Sequence, residues 1–185
     1  MKAVEISDNA IFFFALFLLR RNADGSLTLV RKLMDFESPY ISLRTSSDCE
    51  IVIRKNYWDE SFDLDLMHNR IAMNLLYIQA ISDVERGWIA TNAEIRQKLS
   101  LLQSVGNKHD YMQVVRALPY YGCLHFSNVN CDFPELKTNA TIIIGNSELI
   151  IKTVIGGNQF QETKFRVTRM RSWRITTIHD EAVVE

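Results

Sequence analysis

The chain has 185 residues, a 47% apolar fraction and a formal net charge of −1. That balance excludes a long disordered chain and a polyelectrolyte that grips nucleic acid along its length. Three cysteines, Cys49, Cys123 and Cys131, are too few and odd in number for a disulfide framework and read as reduced thiols of an intracellular protein. The apolar run Ala10 to Leu19 falls short of the ~20 residues of a spanning helix, and the Arg20-Arg21 that follows is no cleavage site; it reads as a buried, aromatic-rich strand.

In chain order, Ile11 to Arg20 is a strand, Asn22-Ala23-Asp24-Gly25 a turn, and Leu27 to Leu33 the returning strand of a hairpin. Ser38 to Leu43 is expected to be extended, because Pro39 disfavours helix in the residue before it. Cys49 to Lys55 alternates, Ile51 and Ile53 against Val52 and Arg54. Extended pieces with no helix leave a Phe-rich sheet face uncovered, so partial exposure of Phe12, Phe14 or Phe13 and Phe17, with self-association, is expected. The period changes at Trp58-Asp59-Glu60. Leu64, Met67, Ile71, Leu75 and Ile78 form one stripe, expected to be buried, and Ala72, Leu76, Ala80 and Val84 a second, on a long helix stopped by Gly87. Asp63 and Asp65 near its start, and Asp83 and Glu85, read as solvated carboxylates. Thr91 to Glu94 matches a capping box with Thr91 as N-cap. Ile95, Leu99 and Leu102 continue that helix to Gly106; Asp110 to Leu118 is a third, with Tyr111, Val114, Val115 and Leu118 inward. Residues 60–119 thus form a helical unit. After Gly122 the strand period returns at Leu124 to Phe126, Thr141 to Ile144, Glu148 to Thr153, Phe165 to Arg169 and Arg171 to Ile178, with Gly145-Asn146 and Gly156-Gly157-Asn158 as turns.

The stretch Lys164 to Ile178 carries five cations, Lys164, Arg166, Arg169, Arg171 and Arg174. As a strand it sends Arg171, Trp173, Ile175 and Thr177 one way and Met170, Ser172, Arg174 and Thr176 the other. An Arg-flanked Trp near a sheet edge suits pairing with an incoming peptide; an ordinary edge strand with Trp173 in the core and protective arginines has the same pattern. His68, His109, His125 and His179 are scattered, and Cys123-x-His125 with Cys131 lacks the paired spacing of zinc ligands, so no metal is expected. No phosphate-cradling loop, nucleophile elbow or His-Glu-x-x-His motif occurs, so neither cofactor nor enzymatic activity is expected.

Strands, then helices, then strands make an α+β layout like that of the three-lobed FERM domains. Phe14-Ala15-Leu16-Phe17-Leu18, Val30-Arg31-Lys32-Leu33, Ser38-Pro39-Tyr40 and Ile53 to Asp59 resemble the FERM-like module of the sorting nexin 17, 27 and 31 subfamily, on the branch of sorting nexins 17 and 31. So do Asn74-Leu75-Leu76-Tyr77, Gly145 to Leu149 and Phe165 to Arg171. The resemblance implies a partial ubiquitin-like lobe over 1–58, a helical lobe like acyl-CoA-binding protein over 59–122, and a partial phosphotyrosine-binding-like lobe over 123–185. It implies a non-enzymatic endosomal cargo adaptor, cytoplasmic and peripheral on endosomes, whose third lobe binds Asn-Pro-x-Tyr or Asn-x-x-Tyr motifs in cytoplasmic tails of membrane receptors. The peptide would pair with the fifth strand of that lobe, through Met170, Arg171, Ser172, Trp173, Arg174, Ile175 and Thr176, with Trp173 as groove aromatic. In that family a phox-homology domain, not included in this sequence, reaches phosphatidylinositol 3-phosphate. The family's first strands and helix of the first lobe and last strands and helix of the third are also not matched. A truncated isoform or fragment with weak or undetectable peptide binding is therefore expected, and a regulatory fragment without cargo or lipid binding is the alternative.

Overall fold

Strand β1, Phe14–Arg21, is a run of Phe and Leu whose broad side chains suit a pleated, buried surface. It pairs antiparallel with β2, Leu27–Lys32, and with β3, Cys49–Lys55, in the order β2-β1-β3. The computed structural model describes residues 6–23, 25–45, 48–155, 159–178 and 181–184. β1 starts at Phe14 rather than Ile11, because a helical turn, α1 (Asp8–Ile11), precedes it. Pro39 opens a short helix, α2 (Pro39–Arg44), instead of an extended piece. Proline restricts the residue before it, and Ser38 is indeed extended; at the first helical position its fixed φ and missing N–H are harmless.

The Phe-rich sheet is largely covered. Phe17, Leu19 and Leu29 are buried around Trp88, with Val52, Leu124 and Phe126 packed alongside. Phe14 belongs to the main core; Phe13 packs against it but is only half-buried, and Phe12, 82% exposed, matches the expectation of an open face.

The long helix of the sequence reading is two helices, α3 (Ser61–Met67) and α4 (Arg70–Glu85). Asn69 interrupts them: its Oδ1 accepts from the N–H groups of Ile71 and Ala72 at 3.0 and 3.1 Å, capping α4. The break resets the helical phase. The buried stripe of α4 is Ala72, Leu76, Tyr77, Ala80 and Asp83, whereas Leu64 and Ile78 are more than half exposed and Met67, Ile71 and Leu75 half-buried. Helix α5, Ala93–Ser104, is capped by Asn92, whose Oδ1 accepts from Ile95 N–H at 2.8 Å; Thr91 instead accepts from Arg96. Helix α6, Lys108–Arg116, buries Tyr111, Met112 and Val115, with Val114 and Leu118 at the core margin.

The chain then forms a second antiparallel sheet, β4 (Leu124–Cys131), β5 (Thr138–Gly145), β6 (Glu148–Ile155) and β7 (Gln159–Arg166), in sequential order. Asn146 and Ser147 both take positive φ between β5 and β6, the conformation a tight two-residue hairpin requires. β7 ends in a 3-10 turn, Val167–Arg169, and 170–174 have no regular structure. β8 (Ile175–Ile178) and β9 (Glu181–Val184) then pair as a separate hairpin. The expected strands over Phe165 to Arg169 and Arg171 to Ile178 are therefore each only partly strand. The expected Gly156-Gly157-Asn158 turn and His179 lie outside the described residues. Among the described residues no helix is long and apolar enough to cross a membrane.

Candidate peptide-docking segment and the junction behind it

The 3-10 turn turns the chain off the second sheet. Val167 N–H donates to Ser147 O at 2.9 Å, tying the turn to the β5–β6 hairpin, and Met170 N–H donates to Val167 O at 3.1 Å. Beyond this anchor the chain meets solvent: Met170 is 39% and Trp173 80% exposed, and Arg171, Ser172 and Arg174 are exposed as well. No ladder orders 170–174, so the two-face alternation does not apply there, and Trp173 is not a core residue. Ile175 and Thr176 do enter a strand, opposite Val184 and Val183. The other edge of β8 carries no strand among the described residues. Of the seven sequence-predicted residues, five form an exposed lead-in and two begin an open-edged strand.

Cations gather beside this lead-in. Lys164, Arg166 and Arg169 line, with Phe165 and Glu148, an open cleft of about 460 Å³. Arg166 Nε lies 3.8 Å from Glu148 Oε1. An exposed indole, an open strand edge and neighbouring cations can hold an extended peptide by backbone pairing, apolar contact and charge.

The cysteine and histidine of Cys123-x-His125 serve packing. Burial pushes the Cys123 thiol up to about 11 and the His125 imidazole down to about 4, so both are neutral near pH 7. Among the described residues no group of three potential metal ligands gathers.

The sequence reading missed the charged junction behind the segment. Arg54 of β3 grips Asp83 of α4 through two hydrogen bonds, 2.7 and 2.8 Å, with both side chains 3% exposed. The guanidinium carbon lies 4.9 Å from the centre of the Trp88 ring, and Trp88 stacks on His125 of β4 with centroids 5.5 Å apart and planes 7° from parallel. One continuous chain of contacts thus joins the first sheet, the helices and the second sheet. Asp63 is fully buried, not solvated. It accepts from Arg116 Nε at 3.1 Å and from the Tyr57 hydroxyl, and Lys55 Nζ lies 3.5 Å away as an ion pair above the rings of Tyr57 and Tyr121. Burial lowers the Lys55 pKa against the pull of Asp63, and raises those of Tyr57 and Tyr121. Gly122, at φ +72°, gives Lys55 room: a Cβ there would stand 2.6 Å from Nζ. A sequence signal for Asp83 did exist, because it continues the stripe Ala72, Leu76, Ala80 at helical spacing. Glu85 and Asp65, off that stripe, are exposed as expected.

The C-terminal, sheet-forming part, residues 122–185, matches the family model described as sorting nexin 17 FERM C-terminal domain. Residues 59–119 match that of the sorting nexin 17/31 FERM domain F2 lobe, and 1–58 that of the sorting nexin 17/27/31 F1 lobe. Sorting nexin-17 of Homo sapiens is 43% identical over 176 residues, covering 94% of this chain and 37% of that protein. Sorting nexin-17 of Danio rerio is 42% identical with the same coverage. Sorting nexin-31 of Homo sapiens is 37% identical over 166 residues, covering 89% of this chain and 38% of that protein. The motif resemblance leans toward sorting nexin 31, whereas the identities are higher for sorting nexin-17. The chain spans a little over a third of the length of these relatives. With antiparallel sheets on either side of a helical unit in the chain and three lobe models in sequence, the chain belongs to the sorting nexin 17/31 family and has its three FERM-like lobes.

Proposed function

We propose that this chain is the cargo-recognising part of a non-enzymatic endosomal sorting adaptor. In this reading Met170 to Thr176 takes Asn-Pro-x-Tyr or Asn-x-x-Tyr motifs from the cytoplasmic tails of membrane receptors. The peptide backbone pairs with the open edge of β8, and Trp173 covers an apolar side chain of the motif. The lobes divide at 58/59 and 122/123. Attachment to endosomes is peripheral, through a phox-homology domain of the longer protein.

The observation that carries the reading is the 80% exposure of Trp173 at the entry to a strand whose outer edge is unpaired among the described residues, within the segment matched by the family's C-terminal FERM model. A large apolar ring held in solvent gains nothing for the fold and offers an anchor to a ligand. The test is titration of a receptor-tail peptide against the folded chain, followed by amide chemical shifts and tryptophan emission. Weak binding centred on 170–178 is expected. Trp173→Ala should lose at least about thirtyfold in affinity with an unchanged melting curve. Unchanged affinity in a folded Trp173→Ala protein refutes the assignment, and no binding by the intact chain favours a regulatory fragment.

A further inference from the structure

The charges around this segment point to a narrower ligand. Residues 163–178 contain five cations and no Asp or Glu, so the remainder of the chain is net acidic. Some cations elsewhere have acidic partners, Arg31 with Glu37 at 2.7 Å, Arg21 with Glu50 at 3.2 Å and Lys152 with Glu162 at 3.3 Å, while others such as Arg20, Arg70 and Lys98 stand singly on the surface; what sets 163–178 apart is the concentration of cations. Here Arg166 is paired with Glu148 at 3.8 Å, Lys164 shares its face of β7 with Glu162, and Arg169 and Arg171 have no salt-bridge partner among the described residues. The cations do not spread over a flat face. Lys164 and Arg166 share one side of β7, Arg169 sits on the turn, and with Phe165 and a single carboxylate, Glu148, they wall the concave cleft of about 460 Å³ at the start of the Met170 to Thr176 lead-in, three cations against one anion. A recess of that size takes side chains of an extended peptide better than it takes a planar bilayer.

From this we infer that the basic cluster selects receptor tails with acidic residues beside the sorting motif. The inference rests on the peptide-docking reading above. Trp173 and the β8 edge hold the motif, and Lys164, Arg166, Arg169 and Arg171 attract glutamate or aspartate flanking it. These cations are solvated, so each contact contributes modestly and is sensitive to salt; its main effects are discrimination between tails and faster encounter.

The experiment compares two Asn-Pro-x-Tyr peptides on the full chain, one flanked by glutamates and the other by glutamines at the same positions. The glutamate peptide should bind about three- to tenfold tighter at low salt, and the difference should collapse at about 0.5 M salt. In Lys164→Ala/Arg169→Ala the affinity ratio of the two peptides should fall to about one, and a ratio unchanged from wild type overturns the inference; both residues are exposed, so folding should be unaffected. Equal affinities of the two peptides for the wild-type chain overturn the inference and leave the docking reading intact. Equal affinities together with capture of the chain by phosphatidylserine vesicles, but not by phosphatidylcholine vesicles, assign the cluster to a membrane surface instead. If neither peptide binds, the docking reading falls and this inference with it.

Discussion

Asp83→Ala tests the junction directly. In the native chain the Arg54 guanidinium has two charge-assisted hydrogen bonds to this carboxylate and the face of Trp88 below it; its Nε has no hydrogen-bond partner among the described residues. Removing the carboxylate leaves a buried, uncompensated cation, and breaking such a pair from one side costs about 3–5 kcal/mol. For a chain of this size each kcal/mol moves the melting temperature by about 2–4 °C, so a fall of roughly 6–20 °C is expected. Tryptophan emission is a suitable assay, because Trp58 and Trp173 are exposed and the blue-shifted component belongs to buried Trp88. A companion variant, Arg54→Met/Asp83→Leu, removes both charges and fills the space with apolar atoms; it should recover most of the loss. A melting temperature within about 1 °C of wild type in Asp83→Ala, or a double variant no more stable than the single one, refutes the argument.

Three further outcomes are expected. His125, its pKa lowered from 6.5 to about 4 by burial, binds its proton more readily unfolded than folded. Stability should therefore be flat above pH 6.5 and decline by up to about 3 kcal/mol toward pH 4 from this group, a slope that urea midpoints at several pH values measure and His125→Gln removes. Leu76→Ala, in the buried stripe of α4, should cost about 2–5 kcal/mol and Ile78→Ala, more than half exposed, under ~1 kcal/mol; the reverse order in urea melts restores the stripe first inferred from sequence. Phe12, Phe36, Tyr40 and Ile41, each more than 60% exposed, should drive concentration-dependent association that Phe36→Ser/Ile41→Ser weakens; a monodisperse wild-type chain at high micromolar concentration in sedimentation speaks against it.

Periodicity placed most strands within a few residues, because half-buried strands print their two faces on the sequence. It erred where one residue changed the local rule. Pro39 signals extended backbone before it, yet its own ring favours a helix start. Asn69 looks like one more polar residue on a long helix, yet its side chain satisfies two backbone donors and rotates the stripe that follows. The burial of Asp63 was not legible at all, since its partners Lys55 and Arg116 come from distant positions brought together only by the fold. Residues 170–174 alternate as a strand would, but alternation needs a neighbouring strand to become structure, and Val167–Arg169 turns the chain away first. The exposed Trp173 was legible as a candidate; its solvent-facing setting was not.

Arg54 and Lys55 are consecutive on β3, so their side chains leave opposite faces of the sheet. One is held by α4 through Asp83, and the other by Asp63 of α3, which Arg116 of α6 also grips. Cleavage of the backbone between residues 58 and 59 would therefore leave one piece with two interior cations and the other with their two anions. Neither piece should fold alone, yet the two should recognise each other in solution and reconstitute a native complex without a peptide bond. Reconstitution would make the seam between strands and helices a change of architecture inside a single cooperative unit, one that a dissection for expression or crystallography should leave intact.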